Sequence, residues 1–356
     1  MLYPLPANPA RGVFVHDHVE LLKNMGHDVR VVNPLPRMPR FAEARRSTMF
    51  GVSKAPKRWN FEGGDVQCPR FFGLPEHPYP SVTAWSIKRR AASVEQHLGS
   101  WRPDAIVCHT LWPVGVLANA LAKRWAVPWI GVVHGHDFDV GLNTHLNKHI
   151  AGLAASCSKL VCVTPRLANI AEGLPQPPQD LTIIPCHTHV GKDWARPMKP
   201  WRGRWRKASI DLLFPADPRR PEKRHLLALQ AGEILEQRGW VVGVTTLRHQ
   251  PRDVVFDRMM VADVTVVTSL REAGPLVARE ALLCGTPVVS VDVGEVATYL
   301  PSSWVVEPTP EALADGVERA LHDGWPLEET PQDVLAFASV DTVKNAWTEV
   351  LEALRE

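Results

Sequence analysis

Short apolar segments alternate along most of the chain with longer segments in which apolar residues recur at helical spacing. The short segments are typical of buried β-strands and the longer ones of amphipathic helices. The predicted strands are Asp28–Val32, Ala105–Cys108, Trp129–Val133, Leu160–Val163, Asp211–Phe214, Val241–Thr246, Val264–Thr268 and Pro287–Val291. The predicted helices are Val13–Met25, Val114–Trp125, Asn143–Ala155, Glu222–Arg238, Pro275–Cys284 and Asp341–Arg355. This alternation predicts an α/β protein whose parallel sheets are covered by helices on both faces.

The alternation stops between His187 and Lys207, where Pro, Gly, Trp and Arg accumulate. This break predicts two Rossmann-like, doubly wound domains with a linker between them and a final helix after the second. The predicted divisions are residues 1–190, 191–206, 207–338 and 339–356. Doubly wound domains bind ligands beyond the carboxyl ends of their strands, so we expect the two domains to face each other across a ligand-binding cleft.

The chain lacks the apolar strand with which a doubly wound domain opens. Met1-Leu-Tyr-Pro already has the character of a loop, so the first strand is largely absent from the sequence. Two explanations are open: the natural start lies upstream, or the sheet forms without one of its central strands. We favour the first explanation.

The amino-acid composition and net charge exclude some classes of protein. The 356 residues include 40 Lys and Arg against 38 Asp and Glu, which gives a formal charge of +2. This near-balance argues against a globally basic nucleic-acid coat or an acidic disordered tail. No apolar run approaches the ~20 residues of a bilayer span, and no secretory signal pattern is present, so we expect a cytoplasmic protein.

The most informative segment runs from Ser269 to Val289, Ser-Leu-Arg-Glu-Ala-Gly-Pro-Leu-Val-Ala-Arg-Glu-Ala-Leu-Leu-Cys-Gly-Thr-Pro-Val-Val. It places Glu272 on a loop and Glu280 inside the helix that follows. A helix N-terminus between them offers unpaired backbone N–H groups, which favour phosphate. Two flanking carboxylates can accept hydrogen bonds from sugar hydroxyls. On spacing alone, an ordinary surface helix with two solvated glutamates is the simpler interpretation.

The whole segment resembles the Glu-x7-Glu signature of retaining GT-B glycosyltransferases, especially the large family four (glycosyl transferases group 1). The resemblance covers the chain from Pro4 to about Leu321, with four motifs in the family's order. It implies that Glu272 contacts the donor sugar and Glu280 the nucleotide ribose. It implies that the backbone at Gly274, Pro275, Leu276 and Val277 faces the donor diphosphate, with the N–H groups supplied by the residues other than proline.

Two segments of the first domain extend the resemblance. Pro4 to Leu22 looks like the family's first loop and helix, with Gly12 as the glycine that lets the backbone approach the leaving phosphate. Ile130-Gly-Val-Val-His-Gly-His-Asp resembles the place where the family carries a histidine near the transferring sugar, which is His134 here. Asp137 matches a nearby polar position on the acceptor side.

The segment from Leu213 to Arg224 resembles the family's Arg and Lys pair that neutralises the donor diphosphate. Lys223 aligns with the lysine. Pro218 stands where the arginine usually lies, so Arg219 and Arg220 are both candidates. The other arginine then caps a helix on a solvated face.

These resemblances imply a hexosyltransferase that moves a sugar from a nucleotide-diphosphate donor to an acceptor hydroxyl with retention of configuration. We expect it to need no metal and no cofactor besides the donor, and its final helix to cross back to the first domain. In particular, Trp347 should contact residues of the N-terminal half. The acceptor stays open between a lipid-linked molecule, a small molecule, a protein and a nucleic acid.

Rival interpretations come from other classes of protein. His134, His136 and Asp137 could centre a metal-dependent hydrolase, and Asp137-x-Asp139 imitates a metal-binding Asp-x-Asp pair. The fold could also serve a non-catalytic protein that binds sugar nucleotides or nucleic acid. Basic stretches at Arg37–Arg46 and Lys199–Lys207 could contact anionic lipid headgroups at a membrane periphery or nucleic-acid phosphates, and a solvated linker is the simpler interpretation.

Overall fold

The computed structural model describes residues 1–73, 78–197, 209–325 and 329–354. The chain forms two compact units: Met1–Pro185 with Lys344–Glu356, and Cys186–Val343. The expected linker 191–206 extends into residues 198–208, which lie outside the described residues, so its bounds stay a prediction. Within the described ranges, no helix has the length and apolar character that a bilayer span requires.

The described residues of the first unit form nine strands in three small sheets. They are β1 Val31–Val32, β2 Leu35–Pro36, β3 Arg58–Phe61, β4 Gly64–Gln67, β5 Arg70–Phe71, β6 Ile106–His109, β7 Trp129–Val133, β8 Lys159–Cys162 and β9 Leu181–Ile183. The largest sheet is parallel throughout, in the order β6-β7-β8-β9, and every residue of β7 is buried. The other two have the orders β1-β4-β3 and β2-β5.

The helices of the first unit begin with α1, which precedes all its strands. They are α1 Val13–Asn24, α2 Arg40–Ala44, α3 Pro80–Lys88, α4 Ala91–Leu98, α5 Val114–Trp125, α6 His136–Asp139, α7 Asn147–Ser156 and α8 Pro165–Glu172. The predicted strand Asp28–Val32 is wrong at its start, because only Val31 and Val32 are paired, and only with β4. A strand with a partner on one side is held by half of the ladder hydrogen bonds that a central strand makes.

In the part of the second unit that the structure describes, the strands form a five-stranded parallel sheet in the order β11-β10-β12-β13-β14. Its strands are β10 Ser209–Phe214, β11 Val241–Thr246, β12 Val264–Val267, β13 Val288–Val291 and β14 Val305–Val306. Its helices are α9 His225–Gln237, α10 Arg252–Val261, α11 Leu276–Leu283, α12 Pro310–Asp323 and α13 Pro331–Val334. The strand order reverses between β10 and β12, which is the topological switch point of a doubly wound sheet.

The last helix, α14, spans Val340–Glu352, and from Lys344 onward the chain belongs to the first unit. Trp347 is buried there, with its ring 4.3 Å from the ring of His18 on α1. The expected return of the final helix to the first domain is therefore confirmed, as is the expected α/β class with two Rossmann-like domains.

Candidate active site

Lys223 and Glu272 meet at the switch point of the second sheet. Lys223 lies in the turn that leads from β10 to α9, and Glu272 lies in the loop after β12. These loops leave the carboxyl ends of neighbouring strands, so residues that are 49 positions apart in sequence come together. The Lys223 ammonium forms an ion pair with the Glu272 carboxylate, and the hydroxyl of Ser269 donates to the same carboxylate over 2.8 Å.

Hydrogen bonds from side chains to backbone carbonyls connect the two loops. The Arg224 guanidinium donates to the carbonyls of Thr268 at 2.5 Å and Ser269 at 3.2 Å. In return, the Thr268 hydroxyl donates to the carbonyl of Lys223 at 2.7 Å. Arg224 has a φ of 50°, which starts α9 at His225 rather than at the predicted Glu222. Lys223 is therefore fixed by its backbone as well as by its charge.

The helix after Glu272 has an uncapped N-terminus. Pro275 precedes α11 and supplies no side-chain cap, so the N–H groups of Leu276 and Val277 have no partner from a capping side chain. A Cβ on Gly274 would lie 2.6 Å from the Glu295 carboxylate, so a larger residue there would force the Glu295 side chain to move. The expected diphosphate-binding amides thus form one helix start beside Glu272, which carries the partial positive charge of the helix dipole.

Glu280 also has a cationic partner that no sequence pattern indicates. Its buried carboxylate lies 2.7 Å from the guanidinium of Arg252, at the start of α10. Arg252 also donates to the carbonyl of His189 at 3.3 Å. Since α10 carries no recognisable motif, the pairing of Arg252 with Glu280 follows only from the tertiary packing.

The two candidate arginines both turn toward nearby carboxylates. Arg219 pairs with Asp217 at 2.8 Å, and this hydrogen-bonded pair lowers the pKa of Asp217 to about 2. Arg220 pairs with Glu222 at 2.7 Å. Neither guanidinium is bonded to Glu272 in the structure, so a diphosphate role for either arginine stays a prediction.

In the first unit, His134 belongs to a chain of three histidines. His109 ends β6 and His134 follows β7, so the adjacent parallel strands place both at the same edge. The His109 Nδ1 and His134 Nε2 atoms are 2.8 Å apart, and the His109 Nε2 and His18 Nδ1 atoms are 3.0 Å apart. The Phe14 ring packs on His134, with 4.7 Å between centroids. The sequence did not lead us to predict a role for His109 or His18. The position of His109 at the end of a predicted strand next to that of His134 could have indicated it.

Burial favours the neutral imidazoles of His134 and His109. It lowers the pKa of His134 to about 3, and burial together with the charges of His18 and His134 lowers the pKa of His109 well below its ordinary value. A neutral imidazole has one N–H donor and one acceptor nitrogen. A neutral histidine can therefore donate one hydrogen bond and accept another within this row of rings. The contact with His109 determines that Nε2 is the His134 nitrogen that faces inward.

Gly12 precedes α1 with a φ of 57°. A Cβ at this position would lie 2.6 Å from the carbonyl carbon of Leu2. Both the left-handed conformation and the close approach of Leu2 require glycine. The helix that follows has no side-chain cap, so a second uncapped helix start lies in the first unit.

Asp137 is a buried carboxylate that accepts hydrogen bonds from the backbone N–H groups of Leu111 at 2.8 Å and Trp112 at 3.0 Å. Asp139 is paired with Arg166 at 2.7 Å. Both carboxylates of the Asp-x-Asp pair are thus engaged by protein groups, and His136 is exposed. In the described ranges, no group of three or more His, Cys, Asp and Glu side chains is arranged to hold a metal ion. The acceptor-side role of Asp137 stays a prediction.

Comparisons with known proteins agree over most of the chain. Residues 12–187 match the family model described as a glycosyl transferase 4-like domain, and residues 229–334 match the model of glycosyl transferases group 1. The chain is 24% identical, over 97% of its length and 94% of the relative's, to the Bacillus subtilis glycosyltransferase TuaC, which is provisionally assigned to teichuronic acid biosynthesis.

Solved structures with this fold include two of similar extent. Sucrose-phosphate synthase from Thermosynechococcus elongatus has a TM-score of 0.68 at 17% identity, covering 96% of this chain and 93% of that one. HepE from Anabaena, in complex with UDP and glucose, has a TM-score of 0.57 at 15% identity, covering 81% and 86%. At these identities the likeness shows the fold.

Proposed function

Because the chain belongs to the group 1 glycosyltransferases, we propose that it transfers a sugar from a nucleotide-diphosphate donor to an acceptor hydroxyl with retention of anomeric configuration. The observation that carries the proposal is the Lys223–Glu272 pair beside the uncapped start of α11. This arrangement offers a cation and free backbone amides to an anion, and carboxylate oxygens to sugar hydroxyls.

The chemistry needs a stabilised leaving group. When the bond between the anomeric carbon and the phosphate oxygen breaks, its electron pair moves to the phosphate, and positive charge develops on the sugar. Lys223 and the α11 amides stabilise the departing diphosphate, so no metal ion is required. The acceptor oxygen bonds to the anomeric carbon on the face that the phosphate leaves, and the acceptor proton passes to that phosphate.

The other candidate residues have binding roles in this proposal. Glu272 holds the donor sugar, and Glu280, positioned by Arg252, holds the ribose. His134 presents a neutral imidazole to the transferring sugar, since its lowered pKa prevents a repulsive positive charge there. Gly12 and the start of α1 offer backbone amides to the leaving phosphate. Arg219 or Arg220 adds a second cation only if it exchanges its present carboxylate partner for the diphosphate.

A screen of nucleotide sugars by thermal shift identifies the donor, because a ligand that binds the native state raises its stability. Release of the nucleoside diphosphate is then measured with wild type, Glu272→Ala and the control Glu233→Ala, whose side chain is exposed on α9. We expect loss of turnover for Glu272→Ala alone, and a product with the anomeric configuration of the donor by NMR. Equal activity of all three proteins, or an inverted product, contradicts the proposal.

We also propose that the first unit contacts an anionic membrane surface. Around α3, the side chains of Tyr79 and Trp85 are 68% and 58% exposed. The guanidinium of Arg89 lies 4.9 Å from the Trp85 ring, which places positive charge beside the exposed aromatic groups. Exposed aromatic rings beside cations suit the headgroup region of an anionic bilayer. The basic stretch Lys199–Lys207 falls outside the described residues.

Sedimentation with lipid vesicles tests this contact. Binding to phosphatidylglycerol vesicles should exceed binding to phosphatidylcholine vesicles and should fall in Trp85→Ser. The control Val261→Ser removes a similarly exposed apolar side chain from the second unit. Equal binding to both lipids, or an equal loss in both variants, contradicts a membrane surface at α3.

A further inference from the structure

The row of histidines beside His134 depends on a match between one helix and two strand ends. His109 ends β6 and His134 follows β7, and neighbouring strands of a sheet lie about 4.8 Å apart. On α1, Phe14 and His18 are four residues apart, so they lie on one face of the helix, roughly 6 Å apart along its axis. This similar spacing lets Phe14 pack on His134 while His18 contacts His109.

The contact between His109 and His134 has the geometry of a linear hydrogen bond. Their ring planes are 16° apart and their ring centroids are 5.1 Å apart. The facing nitrogens, His109 Nδ1 and His134 Nε2, are 2.8 Å apart, so the centroid distance exceeds the nitrogen distance by little more than the radii of the two rings. Both nitrogens therefore lie close to the line between the ring centres, in the direction of their N–H bond or lone pair.

His18 extends the row with a second contact. His18 Nδ1 and His109 Nε2 are 3.0 Å apart, and the two ring centroids are again 5.1 Å apart, with the ring planes at 76°. His109 therefore uses both of its ring nitrogens inside the row. Because its lowered pKa keeps His109 neutral, this ring has one N–H and one lone pair. It must donate to one neighbour and accept from the other, so the two hydrogen bonds run in the same direction.

Trp347 packs against the far end of the row. Its side chain is buried on α14, in the part of that helix that belongs to the first unit. The centroid of its ring lies 4.3 Å from that of the buried His18 imidazole, with the ring planes at 38°. A buried imidazole that packs on a rigid indole and is hydrogen-bonded through Nδ1 has little freedom to turn. The returning helix therefore restrains the histidine at which the row ends.

We propose that a row of positioning residues holds His134 in its Nε2–H tautomer, with the lone pair of Nδ1 directed toward the transferring sugar. The positioning residues are His109, His18 and Trp347. His134 donates through Nε2 to His109, and His109 donates through Nε2 to His18. This inference rests on the proposed sugar transfer, because positive charge that develops on the sugar favours a lone pair in front of it. The opposite direction would present an N–H hydrogen to that charge.

The tautomers can be measured without any substrate. Long-range ¹H–¹⁵N spectra of the full chain, labelled at histidine, distinguish a protonated from an unprotonated ring nitrogen, and His134→Gln identifies the signals of His134. We expect His134 and His109 each to carry the proton on Nε2. A proton on Nδ1 of His134 would overturn the proposal, whether or not the protein transfers a sugar. The expected tautomers in a protein without sugar transfer would contradict the proposed function alone.

Two substitutions of His109 separate the hydrogen bond from the packing. In His109→Asn the amide can take the place of Nδ1 and keep the bond to His134, whereas His109→Leu cannot form it. We expect kcat to fall about 30-fold in His109→Leu and to stay within about threefold of wild type in His109→Asn, with donor affinity unchanged in both. The control Val19→Ala, buried on α1, should lower the melting midpoint and leave kcat unchanged. Equal kcat values for the two His109 variants would contradict the positioning role.

A double-mutant cycle tests the far end of the row. Since Trp347 acts on His134 only through His109, Trp347→Leu should lower kcat about fivefold in the wild-type background and have no further effect in His109→Leu. Trp347→Phe keeps an aromatic ring against His18 and should restore most of the activity. The control Val350→Ala removes a buried side chain from the same helix and should leave kcat unchanged. An equal fall of kcat in both backgrounds would overturn the role of Trp347.

Discussion

The candidate residues of the two units are held in opposite electrostatic states. In the second unit, Glu272 and Glu280 are each paired with a cation, Lys223 and Arg252. In the first unit, burial keeps the hydrogen-bonded imidazoles of His134 and His109 neutral. Fixed full charges suit an anionic diphosphate, and neutral donors and acceptors suit sugar hydroxyls. In the proposed function, the cation Lys223 of the second unit therefore stabilises the leaving group, and the carboxylate Glu272 and the neutral His134 bind the transferring sugar.

The largest expected effect comes from removing the cation of the second unit. Lys223→Met should lower turnover by about 1000-fold, because a preorganised charge on the leaving group contributes roughly 4 kcal/mol to transition-state stabilisation. The turnover number is measured from the steady-state rate at which the nucleoside diphosphate is released.

The matched control is Lys192→Met, an exposed lysine of the same unit. Arg40→Ala removes an exposed cation from the first unit. Both should stay close to wild type, since exposed charges contribute little. Small, equal effects in all three variants would mean that Lys223 points away from the donor.

Glu280→Gln should act on binding more than on chemistry. We expect the donor dissociation constant to rise about tenfold with a smaller fall in saturated turnover, because a ribose contact is made equally in the ground and transition states. Calorimetry for binding and kcat at saturating donor separate the two quantities. A large fall in kcat with unchanged affinity would exchange the roles assigned to Glu272 and Glu280.

The neutral histidines predict a pH dependence of stability. The folded-state pKa of His134 and of His109 lies below the unfolded value of about 6.5. Below pH 6.5 the unfolded chain therefore binds protons that the folded chain does not, and stability falls as pH decreases toward about 3. Each histidine contributes a slope of up to about 1.4 kcal/mol per pH unit in this window.

Urea unfolding between these pH values should give a shallower slope for His134→Gln, by about one proton, than for wild type. Phe14→Leu removes a packing neighbour of His134 without removing a titratable group, and should keep the wild-type slope. If His134→Gln keeps the full slope, the imidazole is charged in the folded protein and the contrast between the units fails.

The smallest expected effect is that of chelation. Activity in EDTA should stay within about twofold of the untreated enzyme, because Lys223 and the α11 amides supply the charge that a divalent ion would supply. Loss of activity that Mn²⁺ or Mg²⁺ restores would transfer the leaving-group role to Asp137-x-Asp139.

The sequence predicted those features that depend on local pattern. The helix expected over Pro275–Cys284 is α11 at Leu276–Leu283, and the strand Val241–Thr246 has the predicted bounds. The sequence did not predict ion pairs between residues that are distant in the chain. Lys223 meets Glu272, and Arg252 meets Glu280, only because of the order of strands and helices in the fold. His109 was missed for the same reason, since its contact with His134 depends on the adjacency of β6 and β7.

The central claim is that the start of α11 and Lys223 bind the donor diphosphate. A crystal structure with the nucleoside diphosphate that the thermal-shift screen selects tests it most directly. We expect a phosphate oxygen within about 3 Å of Lys223 Nζ and of the backbone nitrogen of Leu276 or Val277. A diphosphate bound elsewhere, with Lys223 still paired only to Glu272, would contradict the account.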